Sequence, residues 1–223
     1  MENYYAPVVP QQKPASVQYG PFPVFLLVAI ILRMCERLLT LIPSVNSLIQ
    51  MIGLQAAMPV VLKGVIGFIP LIIMLVGVCL HRKGMQFLLG IGILVATVFE
   101  LFSTAITFMA DLPEEELVRQ VLPLLVNIPL LIFSLFIALY YITKGRGIGK
   151  PVKIVFGVLS LVCCLFSQFL QFMVEVGLNM ETTSANASYF AQTLLIMFFA
   201  GIVVPIYYIA IICYSPFSYN RSN

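Results

Sequence analysis

The stretch MPVVLKGVIGFIPLIIMLVGVCL, residues 58–80, runs into the basic turn His81-Arg82-Lys83-Gly84, and a second apolar run follows over residues 85–110. Lys63 is the only charge in the first run. A helix rises about 1.5 Å per residue and the hydrocarbon core of a bilayer is about 30 Å thick, so each run is long enough to cross. Together they read as a transmembrane hairpin with a positive turn. Four further runs of the same kind lie on either side, over residues 22–42, 121–143, 154–176 and 190–214. The sequence therefore predicts an all-α integral membrane protein with six transmembrane helices in one bundle. Composition agrees: 61% of the residues are hydrophobic and 9% are charged, where a soluble domain carries about 25% charge. Six spans use most of the 223 residues. The expected organisation is one transmembrane domain over residues 22–214. It is flanked by a Pro-rich, disordered cytoplasmic tail over residues 1–21 and a short cytoplasmic tail over residues 215–223. The first tail has no basic n-region and no cleavage site, so it does not read as a signal peptide.

The loops alternate in charge. His81-Arg82-Lys83 and the segment from Lys144 through Arg146 and Lys150 to Lys153 are basic, and the two tails carry Lys13 and Arg221. The intervening loops are neutral (residues 44–57), acidic (Asp111, Glu114, Glu115 and Glu116, with Arg119) or nearly neutral (Glu181 in residues 177–189). Lys and Arg concentrate on the cytoplasmic side, which predicts a multi-pass protein of the cell membrane with both termini cytoplasmic. Tyr140, Tyr141, Tyr207, Tyr208 and Tyr214 fall near inner ends of spans, where an interfacial aromatic belt is expected. Asp111 with Pro113 and Glu114 reads as an N-cap that starts the fourth helix outside the membrane.

Chemical motifs are few. Gly145-Arg146-Gly147-Ile148-Gly149-Lys150-Pro151 lacks the spacing of a phosphate loop, and Pro151 stands where a magnesium-holding hydroxyl would be needed. A basic turn on anionic lipid is the simpler reading. Asn186-Ala187-Ser188 is a glycosylation sequon. The cysteines, Cys35, Cys79, Cys163, Cys164 and Cys213, all fall in or at the ends of spans, as small apolar packing residues do. His81 is the sole histidine and Asp111 the sole aspartate. No zinc-protease or nucleophile-elbow motif occurs. The sequence thus predicts no enzyme activity, no metal site, no cofactor and no nucleic-acid partner.

Two internal patterns stand out. Ile69-Pro70-Leu71-Ile72-Ile73 is echoed by Ile128-Pro129-Leu130-Leu131-Ile132. Leu101-Phe102-Ser103 with Phe108-Met109 is echoed by Leu165-Phe166-Ser167 with Phe172-Met173. This suggests a parallel duplication of helices 2–3 and 4–5, although low-complexity apolar sequence produces such matches by chance. Pro70, Pro129 and Pro205 fall in the three inward-running helices, where proline removes a backbone hydrogen bond and tends to kink.

The first span carries Arg33, Glu36 and Arg37 at i, i+3 and i+4, on one helix face. A charge at the bilayer centre costs roughly 2.5–3.5 kcal/mol on insertion scales, against about 0.3–0.6 gained per apolar residue. The helix therefore needs others to cover that face. Depth counting puts Glu36, Arg37, Lys63 and Glu100 about 20–22 Å from the inner boundary, with Asn127 and Gln168 near the same level, Gln171 slightly outside it and Glu175 at the outer boundary. Arg33, Arg37 and Lys63 balance Glu36, Glu100 and Glu175. The expectation is an intramembrane polar cluster in which Glu100 approaches Lys63 or the Arg33–Arg37 face.

Two functional readings follow. In one, the chain binds or passes a small solute through an outward-facing polar cavity. In the other, it is a structural or regulatory subunit of a membrane protein complex, and the charges are helix-joining salt bridges. The partners are then the lipid bilayer with either a small solute or another membrane protein. Size and six-span plan resemble the substrate-binding subunits of energy-coupling-factor vitamin transporters. The resemblance is one of topology, since the Ala-x3-Ala pattern of their first helix is absent and Ala29 stands alone there.

Overall fold

A computed structural model describes residues 18–19, 24–52, 54–80, 84–109, 114–146, 148–179, 187–214 and 217–218. These residues are almost entirely helical, because apolar runs in hydrocarbon must satisfy their backbone groups internally. The elements are β1 (Gln18–Tyr19), α1 (Val24–Ile52), α2 (Leu54–Ile66), α3 (Ile69–Cys79), α4 (Phe87–Met109), α5 (Glu114–Ile142), α6 (Lys150–Asn179), α7 (Ala187–Cys213) and β2 (Phe217–Ser218). Three helical stretches are long and apolar enough to cross a membrane: Val61–Cys79, Lys150–Val174 and Thr193–Cys213. Phe87–Ser103 and Asn127–Ile142 are shorter apolar helices among the described residues.

α2 and α3 are one rod broken at Gly67–Phe68. The Gly67 and Phe68 amides donate to the carbonyls of Lys63 (3.1 Å) and Val65 (3.0 Å), and Pro70 stands in the first turn of α3. Proline lacks the N–H that a continuous helix would use there, and it is tolerated where a helix begins. Its counterparts behave differently: α5 runs through Pro129 and α7 through Pro205 without a break.

The helices close a ring. α3 packs on α4, α4 on α5, α5 on α6, α6 on α7, and α7 on α1, which returns to α2 and α3. Glycines let the backbones approach, as small residues do in membrane bundles. A Cβ on Gly90 would meet the backbone of Ala138 and Ile142 across the α4–α5 contact, and one on Gly157 would meet Ile212 across the α6–α7 contact. The two-residue antiparallel ladder pairs Gln18 with Ser218 and Tyr19 with Phe217, so short segments before α1 and after α7 meet.

Leu26, Ala29, Ile30, Val78, Leu89, Ile137, Ala138, Ala210 and Ile211 form a sealed apolar core. Most lie towards the end of the bundle that carries the two basic turns. The outer surface is apolar as well, while several polar side chains are turned inside. Gln86, Thr97, Ser134 and Ser160 are buried, whereas Phe102, Leu195 and Phe198 are exposed. An outer surface of that kind belongs in hydrocarbon, and the chain is a membrane protein.

Three expectations change. Residues 44–52, expected in a loop, continue α1 to Ile52. Tyr140, Tyr141 and Tyr207 do not form an exposed belt; they are buried in the core. They turn inward because the basic end of the bundle offers acceptors: the Tyr141 hydroxyl donates to the Ile211 and Tyr214 carbonyls, both at 2.9 Å, and that of Tyr207 donates to Met74 Sδ at 3.2 Å. Within the tail expected to be disordered, Gln18 and Tyr19 are paired, and residues 1–17 lie outside the described residues. α5 is described from Glu114; Asp111 and Pro113, expected to cap its start, lie outside the described residues.

Candidate functional site

The ring encloses a cavity of about 640 Å³ to which α1, α3, α4, α5, α6 and α7 all contribute. Its polar wall is built first by α1. Arg33, Glu36, Arg37 and Thr40 are spaced so that they share one face, and all four line the cavity. Arg33 Nη1 pairs with Glu36 Oε2 within that face. Thr40 donates back to the Arg37 carbonyl at 2.9 Å, closing the polar strip on its own helix.

Arg37 reaches across to α4, where its Nη2 donates to Glu100 Oε1 at 2.9 Å. The route passes the break between α2 and α3. A Cβ on Gly67 would lie 3.3 Å from Arg37 Nη1, so the missing side chain there leaves room for the guanidinium. Both partners are partly exposed, the Arg37 side chain 31% and that of Glu100 44%. On the far side of the ring Ser167 of α6 donates to Asn127 Oδ1 of α5 at 3.0 Å. Gln168 faces α7, its Oε1 3.5 Å from where a Cβ on Gly201 would be. Counted from their ends at the basic-turn side, these groups lie about 14–27 Å along their helices.

Of the residues expected to cluster, Arg33, Glu36, Arg37, Glu100, Asn127, Gln168 and Gln171 all line the cavity. Lys63 does not. Gly64 packs onto Leu41 of α1, and Lys63, about 100° further round the helix, is exposed on the outside of the bundle. Counting residues along a span does not fix the direction in which a side chain points. The loss of Lys63 from the cluster leaves Arg33 and Arg37 against Glu36 and Glu100. The Glu175 side chain lies outside the described residues.

Sequence reading missed the floor and the far rim. Tyr207, Tyr208, Ser134 and Thr97 line the deep part of the cavity. Their signal was weak: hydroxyls are ordinary in membrane helices, and Tyr207 and Tyr208 were read as interfacial tyrosines. It also missed Lys153, assigned to a basic loop. Lys153 is buried, donates to the carbonyls of Tyr214 (2.6 Å) and Ile211 (3.3 Å), and lies over the Tyr140 ring at 5.2 Å. It thereby ties α6 to the C-terminal end of α7, where carbonyls lack helical partners. Among the described residues no group of three His, Cys, Asp or Glu could hold a metal ion.

Comparison of the chain with protein-family models, with curated proteins and with solved structures gives no match.

Proposed function

We propose that this chain is a six-span, multi-pass protein of the cell membrane, both termini cytoplasmic, that binds or passes a small solute in its central cavity without chemical conversion. The observation that carries this reading is the Arg37–Glu100 pair. It joins helices on two sides of an enclosed cavity while both side chains keep about a third or more of their surface open. A pair kept only to join helices gains most when it is excluded from competing partners. A pair open to a cavity can exchange its partner for a ligand. Placing the basic turns in the cytoplasm puts the cavity in the outer half of the membrane and the apolar core beneath it, which describes an outward-facing site with a closed floor.

The competing reading is a structural subunit whose charges join helices. The Arg37–Glu100 contact between α1 and α4 is the one described ion pair that would serve it, since Arg33 and Glu36 pair within α1. The two readings separate on water. In a cysteine-free background carrying Gln168→Cys, a charged, membrane-impermeant thiol reagent added from outside should label the cavity if it admits solutes. Complete protection in folded protein would mean that the cluster is dry, and the structural reading would stand instead.

A further inference from the structure

We infer that the molecule held here is an amphiphile: a lipid-like ligand with a zwitterionic head group, whose acidic group takes Arg37 and whose ammonium takes Glu100, while its apolar body lies along the edge between α6 and α7. This rests on the cavity reading above and names its ligand class.

Charge comes first. The described polar wall holds two cations, Arg33 and Arg37, and two anions, Glu36 and Glu100. A ligand of single net charge would displace the Arg37–Glu100 contact and leave one of the two without a partner. A zwitterion replaces the Arg37–Glu100 contact with two contacts of the same kind and leaves the balance at zero. Arg37 suits a phosphate or carboxylate, having a planar set of donors.

The rim is the second, independent observation. Phe169 and Phe172, three apart on α6, and Phe198 and Ile202, four apart on α7, line the cavity. They are also 57%, 44%, 73% and 47% exposed. Residues that border both the cavity and the outer surface mark a lateral edge, and Phe169, Phe172, Phe198 and Ile202 make this edge mainly apolar, with Gln171 of α6 its polar member. A site for a water-soluble solute gains nothing from it. A molecule with its head inside the ring and its chain in the bilayer would cover it. The cavity volume of about 640 Å³ lies in the usual range for ligands larger than a single amino acid, roughly 300–1,000 Å³.

The test uses the purified full chain in a non-ionic detergent, followed by thermal unfolding with three probes. These are phosphatidylethanolamine, phosphatidylglycerol with the same chains, and glycerophosphoethanolamine, the head group without chains. Phosphatidylethanolamine should raise the unfolding temperature, and the other two should not at equal concentration. Glu100→Gln should weaken the apparent affinity for phosphatidylethanolamine about tenfold, the loss of one charge-assisted contact. Should that variant fail to fold, Phe198→Ala takes its place. Its side chain is largely exposed, so truncation leaves the core intact and should still weaken the lipid response. Equal responses to both lipids would overturn the proposal, since that is bulk lipid alone. A response to glycerophosphoethanolamine equal to that of the intact lipid would also overturn it and leave an aqueous solute in the same cavity. No response to any probe overturns the lipid class while Gln168→Cys still labels, and removes the cavity function as well where Gln168→Cys is protected.

Discussion

At the scale of single residues, the Arg37–Glu100 contact and Lys63 make opposite predictions. Glu100→Gln and Arg37→Met should couple in a double-mutant cycle, by about 0.2–1 kcal/mol, because both side chains are partly open and a screened pair is worth little. Glu100→Gln and Lys63→Met should be additive, since Lys63 is exposed away from the cavity. Thermal unfolding in detergent reads both cycles; coupling through Lys63 would refute the assigned pairing. Lys153→Met should cost about 1–3 kcal/mol, because it strips the Ile211 and Tyr214 carbonyls of a charged donor in a buried place. Lys150→Met, three residues away and exposed, should change stability by no more than about 0.5 kcal/mol. Equal effects of the two lysines would mean that the α7 end does not depend on Lys153.

At the scale of elements, the ring is held by close helix contacts, several of them made at glycines. Gly90 of α4 is the tightest case in which the neighbour is backbone: an added Cβ meets the Ala138 carbonyl and the Ile142 amide. Backbone cannot rotate away as a leucine side chain can. Gly90→Val should therefore cost about 1–3 kcal/mol by overpacking and push α4 from α5. Gly149, which would meet only Pro151 Cδ at 3.5 Å, should tolerate alanine with little change. Comparing the folded yields and unfolding temperatures of the two variants checks this. The break at Gly67–Phe68 belongs to the same scale: it divides a span, and the room it leaves beside Gly67 is where Arg37 crosses to α4.

At the scale of the whole molecule, α1 explains why the ring closes. It carries three charges that lipid alone would not accept, and α7 on one side with α2 and α3 on the other cover it. Closure makes the cavity, so the charges and the cavity come together. Orientation is the property to test here. In a cysteine-free background, single cysteines in residues 111–120 or 177–189 should react with an impermeant reagent on intact cells. Cysteines in residues 144–153 should react only after permeabilisation. Reaction of the basic segment from outside would invert the proposed topology and place the cavity in the inner half. A first span that failed to insert would instead expose the N-terminus.

By itself, the sequence determined quantities that run along one chain: which stretches are apolar, where the basic residues fall, and how far along its run each polar residue lies. Hydropathy and a rise of about 1.5 Å per residue are local, so Arg37 and Glu100 could be placed at one level without any structure. The direction in which each side chain points around its helix is not local. Packing sets it, as when Gly64 turns to Leu41 and leaves Lys63 outside. The tertiary structure alone therefore decided that Glu100 meets Arg37 rather than Lys63, and that tyrosines expected at the membrane surface turn inward, Tyr141 to carbonyls at the end of α7 and Tyr207 to Met74. It alone decided that Lys153 leaves its basic segment for the end of α7. The apolar edge between α6 and α7 was illegible for the same reason. A phenylalanine bordering a cavity and one facing lipid are identical in sequence until the neighbouring helix is in place.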